Sequence, residues 1–346
     1  MKAIVCHTYG SPDVLRFEEV AKPVPRDDEA LVKIHAASVN AADFETLRGR
    51  FWTRFGGPLK PQYPILGSDI AGRIEAVGST VTQFQPGDEI WGDLSYPLGF
   101  GAFAEYVCVP EQALRLKPAG MTFEEAAAVP SAAVVALQNL RAAPPTSPNP
   151  ILADTGRIQP GQKVLFNGAG GGMGTFGVQI AKSFGAEVTG VDSAEKLDML
   201  RSIGADHVID YAQEDFTKNG QQYDLILDVV SSRSLFAYTR ALSHGGVCSI
   251  IGGSTPAIFQ VMLLGPLVSM TGTKKIGVVM WRPNKKDDLG ILEELFEAGT
   301  VRPVIDRRYP LREVAEALRY LEEGHSRGKV VITMEQKNTD IPAQQT

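Results

Sequence analysis

The chain has 346 residues, with 34 Lys and Arg against 40 Asp and Glu, a formal net charge of -6 and no basic block. That balance excludes nucleic acid as a partner, because phosphate backbones demand clustered positive charge. Its length exceeds one ordinary core of roughly 100–150 residues, and a hydrophobic content of 44% is ample for two domains.

Cysteine is scarce. Cys6, Cys108 and Cys248 form no Cys-x-x-Cys pair, which argues against a disulfide framework or a cysteine-rich zinc lobe. The opening MKAIVCH reads as a strand rather than a signal peptide, and no apolar run reaches the roughly 20 residues of a membrane helix. The expected setting is the cytoplasm, without membrane contact.

Up to about Pro118 the chain is divided into short β-type runs, among them Leu31–Ala36, Ile70–Val77 and Ala104–Val109, separated by turns such as Gln85-Pro86-Gly87-Asp88. This predicts a mostly β, loop-rich domain. The proline density of residues 142–156 excludes regular structure there, and the stretch reads as an inserted surface loop.

From Lys163 the pattern alternates. Strands are predicted at Lys163–Asn167, Glu187–Val191, His207–Ile209, Tyr223–Val230, Gly246–Ile251 and Lys275–Met280. Helices are predicted up to Phe184 and over Ser193–Ile203 and Arg233–Leu242. Continuous apolar strands alternating with helices predict an α/β, doubly wound parallel sheet of Rossmann type, covered on both faces. Helices over Lys286–Gly299 and Leu311–Gly324 and a strand at Lys329–Thr333 are predicted to rejoin the first domain, ahead of an aperiodic tail from Glu335 to Thr346.

The strongest local signal is Val164-Leu-Phe-Asn-Gly168-Ala-Gly170-Gly171-Gly172-Met173-Gly174, an apolar strand running into glycines and then a helix. Glycines let the backbone turn sharply and approach a diphosphate, which the helix N-terminus attracts. Gly168, Gly170, Gly171, Gly172 and Met173 are therefore dinucleotide-binding candidates, and a valine at Gly172 is predicted to occupy the diphosphate position. A flexible turn is the plain alternative. Asp192, about 20 residues further on, suits the ribose 2′-hydroxyl of NAD. Ser193, Lys196 and Tyr211 suit the 2′-phosphate of NADP instead. An i,i+4 pair between Asp192 and Lys196 would blunt both. The residues alone leave this choice open.

The glycine string, SVNAAD, SIGADHVIDY, the run PILGSDIAGRIEAVGSTVTQFQPGDEIWG and the closing EEGHSRGKVVI resemble the zinc-independent quinone oxidoreductases of the medium-chain dehydrogenase/reductase superfamily. The resemblance implies a GroES-like, mostly β domain built from both chain ends (1–127 plus 295–346) around a Rossmann domain (128–294). It implies NADPH rather than NADH, through Lys196 and Tyr211, with NADH still possible through Asp192. It also implies a homodimer or homotetramer, and the homodimer is the expected state.

Relatives that hold zinc carry Cys where this chain has Asn40, and Gly-His-Glu where it has Gly67-Ser68-Asp69, so no metal is predicted. His7, His35, His207, His244 and His325 lack ligand spacing. Asn40 is the candidate donor to a quinone or enone oxygen; holding a loop is its alternative role. A Gly-x-Tyr triplet of several relatives is here Gly49-Arg50-Phe51, without the hydroxyl. Water, or Tyr63, would then supply the proton. Phe51, Trp52 and Phe55 either line a substrate pocket or pack in a core. Gly252, Gly253 and Ser254 are predicted beside the nicotinamide, and Lys329 is predicted to reach the cofactor from the other domain. The resulting expectation is a zinc-free NAD(P)H-dependent reductase of quinones or enones. The rivals are an alcohol dehydrogenase or carbonyl reductase, and a non-catalytic NADPH-binding redox sensor.

Overall fold

The computed structural model describes residues 1–50, 53–54, 57–95, 100–141, 158–278, 282–284 and 286–334. The Phe51, Trp52 and Phe55 cluster, the 142–156 insertion and the tail lie outside the described residues.

The chain opens with β1 (Lys2–Cys6), antiparallel to β2 (Leu15–Glu19). The long β3 (Glu29–Val39) is followed by α1 (Ala41–Arg48), then β4 (Asp69–Val77), β5 (Glu89–Asp93), β6 (Tyr106–Pro110) and β7 (Leu114–Leu116). Two helices, α2 (Phe123–Ala127) and α3 (Pro130–Leu140), lead out of this region.

The second region runs β8 (Lys163–Asn167), α4 (Gly172–Ser183), β9 (Glu187–Asp192), α5 (Leu197–Ser202), β10 (His207–Asp210) and β11 (Tyr223–Asp228). It continues with α6 (Leu235–Ala241), β12 (Leu242–Ile250), α7 (Thr255–Thr271) and β13 (Lys275–Val278). After α8 (Lys286–Glu297) come β14 (Ile305–Pro310), α9 (Val314–Glu322) and β15 (Lys329–Thr333). β15 pairs antiparallel with β3, so the C-terminal strand closes the first sheet in the order β14-β15-β3-β4-β5-β7, with β6 also on β3.

The six strands β8–β13 are parallel and ordered β10-β9-β8-β11-β12-β13. This is the doubly wound Rossmann arrangement predicted from the alternation. The strand order reverses between β8 and β11, which opens a crevice at their carboxyl ends. The middle residues of the central strands are apolar because both faces are buried there. Val164, Phe166, Val188, Leu225 and Leu227 face the α3 and α4 side. Leu165, Val191, Ile226, Cys248 and Ile250 face Tyr238 and Val261. Each large side chain fully buried in this way contributes about 1.5–3 kcal/mol. Ala36, Ala71, Trp91 and Val331 of the first sheet join the α3 side, so one core spans both regions.

Three elements differ from expectation. The helix predicted over Ser193–Ile203 begins with a 3-10 turn at Ala194–Lys196 before α5. β14 was not foreseen, because Ile-Asp-Arg-Arg-Tyr-Pro carries no apolar alternation. Nor was α7 foreseen, since its 17 residues are apolar on every side and include Pro266. Among the described residues no helix is long and apolar enough to cross a membrane.

Candidate functional site

The glycine segment lies at the carboxyl end of β8, where the crevice opens. Gly168 has φ 85° and the amides of Gly168 and Ala169 both donate to Val191 O, so the chain turns back onto β9. Gly171 is the N-cap of α4 and makes no side-chain cap. A Cβ at Gly171 would meet only Gly168 O, at 3.6 Å, so this position faces open space beside the bare first turn. That is the cradle a diphosphate requires: amide donors, a positive helix end and no side chain.

Gly172 differs from expectation. A Cβ there would lie 2.8 Å from Lys329 Cδ. A valine at Gly172 would therefore collide with Lys329 before it filled the diphosphate position, and Gly171 is the residue that faces the open cradle. Gly174 is required by packing, since its Cβ would lie 2.4 Å from Ala169 O. Met173 is partly buried against the core.

Asp192 and Lys196 form the i,i+4 pair raised as an alternative, at 3.3 Å. Asp192 Oδ2 accepts from Gly170 N at 2.7 Å and Oδ1 from Ser193 N at 2.9 Å, so the carboxylate ties the glycine loop to the end of β9. Lys196 is buried, and its ammonium also donates to Gly324 O at 2.7 Å. Tyr211 is exposed next to this pair, with its amide on Asp192 O at 3.2 Å. A cavity of about 630 Å3 bounded by Glu195, Arg307, His325 and Arg327 opens alongside.

The other wall carries Asn40, which precedes α1. Its amide N–H donates to Asp43 Oδ2 at 2.7 Å, while its carboxamide turns the other way. Asn40 Nδ2 donates to Asp69 Oδ2 at 2.9 Å, and Oδ1 accepts from Lys329 Nζ at 2.6 Å. Lysine only donates and a carboxylate only accepts, so these neighbours permit one orientation of the amide. Asp69 further accepts from Ser38 Oγ at 2.9 Å, Ser131 N at 3.0 Å and Ser131 Oγ at 2.7 Å. Ser131 Oγ lies 3.0 Å from Asp93 Oδ2. Lys329, predicted as a cofactor contact, gives its ammonium to Asn40 and, at 3.4 Å, faces Asp69. Asn40 is the partly exposed member of a set whose Ser38, Asp43, Asp69, Asp93, Ser131 and Lys329 are all buried.

Two family profiles match this chain: one described as "Zinc-binding dehydrogenase" over residues 203–332, and one described as "Alcohol dehydrogenase GroES-like domain" over residues 26–119. A 2-methylene-furan-3-one reductase of Solanum lycopersicum is 36% identical over 343 residues, spanning 96% of this chain and 79% of its own. The chloroplastic NADPH-dependent alkenal/one oxidoreductase of Arabidopsis thaliana is 33% identical with the same coverage. The chain belongs to the quinone oxidoreductase and alkenal/one reductase group of the medium-chain dehydrogenase/reductase superfamily. The quinone oxidoreductase structure from Coxiella burnetii superposes with a TM-score of 0.83 at 27% identity, covering 97% of this chain and 99% of that one. The chain is thus an NAD(P)H-dependent oxidoreductase of this group, with the Rossmann and GroES-like halves that the sequence implied.

Zinc, which one profile's description implies, does not fit the residues of this medium-chain reductase. Asn40 and Ser68 are neutral, and the Asp69 carboxylate already faces an ammonium. Among the described residues no group of three or more His, Cys, Asp or Glu is placed to hold a metal. The dinucleotide does fit, on the open face at Gly171.

Burial shapes the electrostatics of the Asn40 wall. It pushes the Asp93 carboxyl up to about 7, with help from the Asp69 charge. Burial raises Asp43 to about 7 as well, although the Asn40 amide pulls it the other way. Asp43 and Asp93 therefore hold protons into the neutral range, beside the Lys329–Asp69 contact at 3.4 Å.

Under the crevice, Asp228 at the end of β11 accepts from Asn167 Nδ2 at 2.9 Å and Tyr238 Oη at 2.7 Å. Burial raises its carboxyl too. Gly253, with φ 125°, is pinned to Ser231 by backbone contact, and a Cβ there would lie 2.4 Å from Ser231 N. Gly252 and Ser254 are tied to the same residue through main-chain bonds of 3.2 and 2.9 Å. This glycine pair is therefore demanded first by the protein's own backbone. Tyr63 accepts from Gln62 Nε2 at 3.2 Å and packs edge-on against Phe100.

Asp43, Asp69, Asp93, Ser131 and Asp228 were not singled out as functional residues from the sequence. The available signals were faint: a carboxylate ending the apolar run Leu225–Asp228, and Gly67-Ser68-Asp69 standing where relatives hold metal ligands.

Proposed function

We propose that this protein reduces α,β-unsaturated carbonyl compounds and quinones with NADPH. The observation that carries the reading is one side chain joining two sites. The Lys329 stem lies against Gly172 at the start of the dinucleotide helix, and its ammonium reaches Asn40 Oδ1 at 2.6 Å. The names of the two curated relatives, a 2-methylene-furan-3-one reductase and an alkenal/one oxidoreductase, both describe conjugated carbonyl substrates.

In this reading Gly168, Gly170, Gly171, Gly172 and Met173 hold the diphosphate with main-chain amides. Ser193, Lys196 and Tyr211 border the adenosine ribose, and Gly252, Gly253 and Ser254 border the nicotinamide end. Asp192 supports NADPH over NADH, because its oxygens already accept two main-chain amides and face Lys196, leaving little capacity for a ribose 2′-hydroxyl. When bound, the reduced nicotinamide supplies the hydride.

Asn40 donates its remaining N–H to the substrate oxygen as negative charge gathers there, a contact that strengthens toward the transition state. The proton comes from water entering the cleft, with Tyr63 as the side-chain alternative. A second copy of the chain completes the proposal: α7, which packs beside β13 at the end of the six-stranded sheet, exposes Phe259, Met262, Leu263, Leu267 and Met270.

Reduction of an enone with NADPH tests the reading. The saturated ketone is the expected product. An allylic alcohol would favour a carbonyl reductase, and tight NADPH binding without oxidation would favour a sensor; either result overturns the proposal.

A further inference from the structure

Lys329 is a cation in an unusual position. It starts β15, is 2% exposed and, among the described residues, has one carboxylate, Asp69, within salt-bridge distance at 3.4 Å. Leaving a buried ammonium with a long ion pair is costly unless its other bonds compensate. The shortest of those is 2.6 Å, to Asn40 Oδ1 across 289 residues of sequence. On the opposite side its stem touches Gly172, while Gly328 N donates to Gly170 O at 2.8 Å and Gly328 bridges to Gly171. One dipeptide therefore contacts three glycines of the cradle and one atom of the carboxamide.

We propose that Lys329 is a positioning residue for the hydride-transfer reaction. It locks the Asn40 carboxamide so that its unused N–H is presented to the substrate oxygen, and it couples that donor to the dinucleotide cradle. This inference rests on the reading of Asn40 given under the proposed function.

Two physical effects support it. Donors and acceptors can match in only one way when lysine faces Oδ1 and a carboxylate faces Nδ2, so the amide cannot flip. A cation on the carbonyl oxygen also draws electron density from the amide, which strengthens the N–H as a donor, as in other hydrogen-bond chains. Asp69 holds the second N–H and balances the charge. Ser38 and Ser131 saturate Asp69 in turn, and Asp93 and Asp43 complete the set of ionisable groups around it.

The test uses four full-length proteins: wild type, Lys329→Met, Asp69→Asn, and the double variant. Methionine keeps a stem against Gly172 and removes the ammonium. For each protein, kcat and KM with an enone, the NADPH dissociation constant by fluorescence titration, and the melting temperature are measured. Lys329→Met is expected to lower kcat about 10- to 100-fold, with the NADPH constant and KM nearly unchanged. It also leaves Asp69 unpaired, so the melting temperature falls.

The double variant removes both charges and is expected to regain stability without regaining kcat. Should Lys329→Met fail to fold, the double variant carries the measurement. Recovery of kcat together with stability would overturn the inference, as would a loss confined to NADPH affinity. A wild type that oxidises no NADPH with any enone or quinone would instead overturn the underlying reading, so the two failures are distinguishable.

Discussion

Replacing Gly171 with valine separates binding from folding more cleanly than any other change in the glycine segment. Gly171 has φ -84° and ψ -179°, values open to any residue, and its Cβ would find no atom nearer than Gly168 O at 3.6 Å. Losing glycine at an N-cap costs about 1 kcal/mol. Restricting the unfolded chain returns about 0.4–1 kcal/mol. The net change should therefore lie within about 1 kcal/mol, a melting shift of roughly 2–4 °C or less. A valine side chain would, however, stand where the diphosphate must meet the first-turn amides. Losing that approach should cost at least about 2.7 kcal/mol, or about a hundredfold in affinity.

Calorimetric titration with NADPH, paired with thermal melts, measures both quantities. Gly174→Val is the contrasting control. Its Cβ would lie 2.4 Å from Ala169 O, main chain that cannot step aside, so that variant should lose stability first. A Gly171→Val protein that melts normally and binds NADPH like the wild type would refute the assignment of the cradle.

Two further changes probe the charges. Lys196→Ala should weaken NADPH about tenfold or more while changing NADH little, read by fluorescence titration; equal losses would mean that the lysine serves only its bonds to Asp192 and Gly324 O. Asp93→Asn addresses pH. Burial and the Asp69 charge raise the folded Asp93 from 3.8 to about 7, so the folded protein holds a proton there that the unfolded chain releases. The associated stability is full below the unfolded value and is lost as pH rises to about 7, an effect on the order of a few kcal/mol. Asparagine stays neutral and can still donate to Ser131 Oγ. Urea unfolding at acid and at mildly alkaline pH should show a shallower decline for Asp93→Asn than for the wild type, with Asp43 retaining its share; an unchanged slope would contradict the assignment.

The fold was largely legible because the parallel strands are buried on both faces, and runs such as Val164–Phe166 and Leu225–Leu227 carry that burial openly. Helix α7 was not legible for the opposite reason: a segment apolar on all sides shows no period that separates a core face from a solvent face. The glycine string marked the bend at the end of β8 but not which Cβ vector points into open space. That depends on Lys329 arriving beside Gly172 from the far end of the chain. Asn40 could be singled out because it stands where relatives hold a zinc ligand. Its partners could not, since Lys329, Asp69 and Ser131 are gathered by β15, β4 and α3 only after the chain has crossed back on itself. Likewise, the i,i+4 spacing of Asp192 and Lys196 suggested their pairing, while the Gly324 carbonyl that completes it had no local signal.

The central claim is hydride delivery to a conjugated carbon beside an oxygen held by Asn40. NADPH bearing deuterium at its reactive nicotinamide carbon, turned over with an enone and followed by mass spectrometry and NMR of the product, tests it most directly. The account predicts one deuterium on the β-carbon of a saturated ketone, with the α-hydrogen drawn from water. Deuterium on the carbinol carbon, or an unlabelled substrate recovered with its double bond intact, would contradict it.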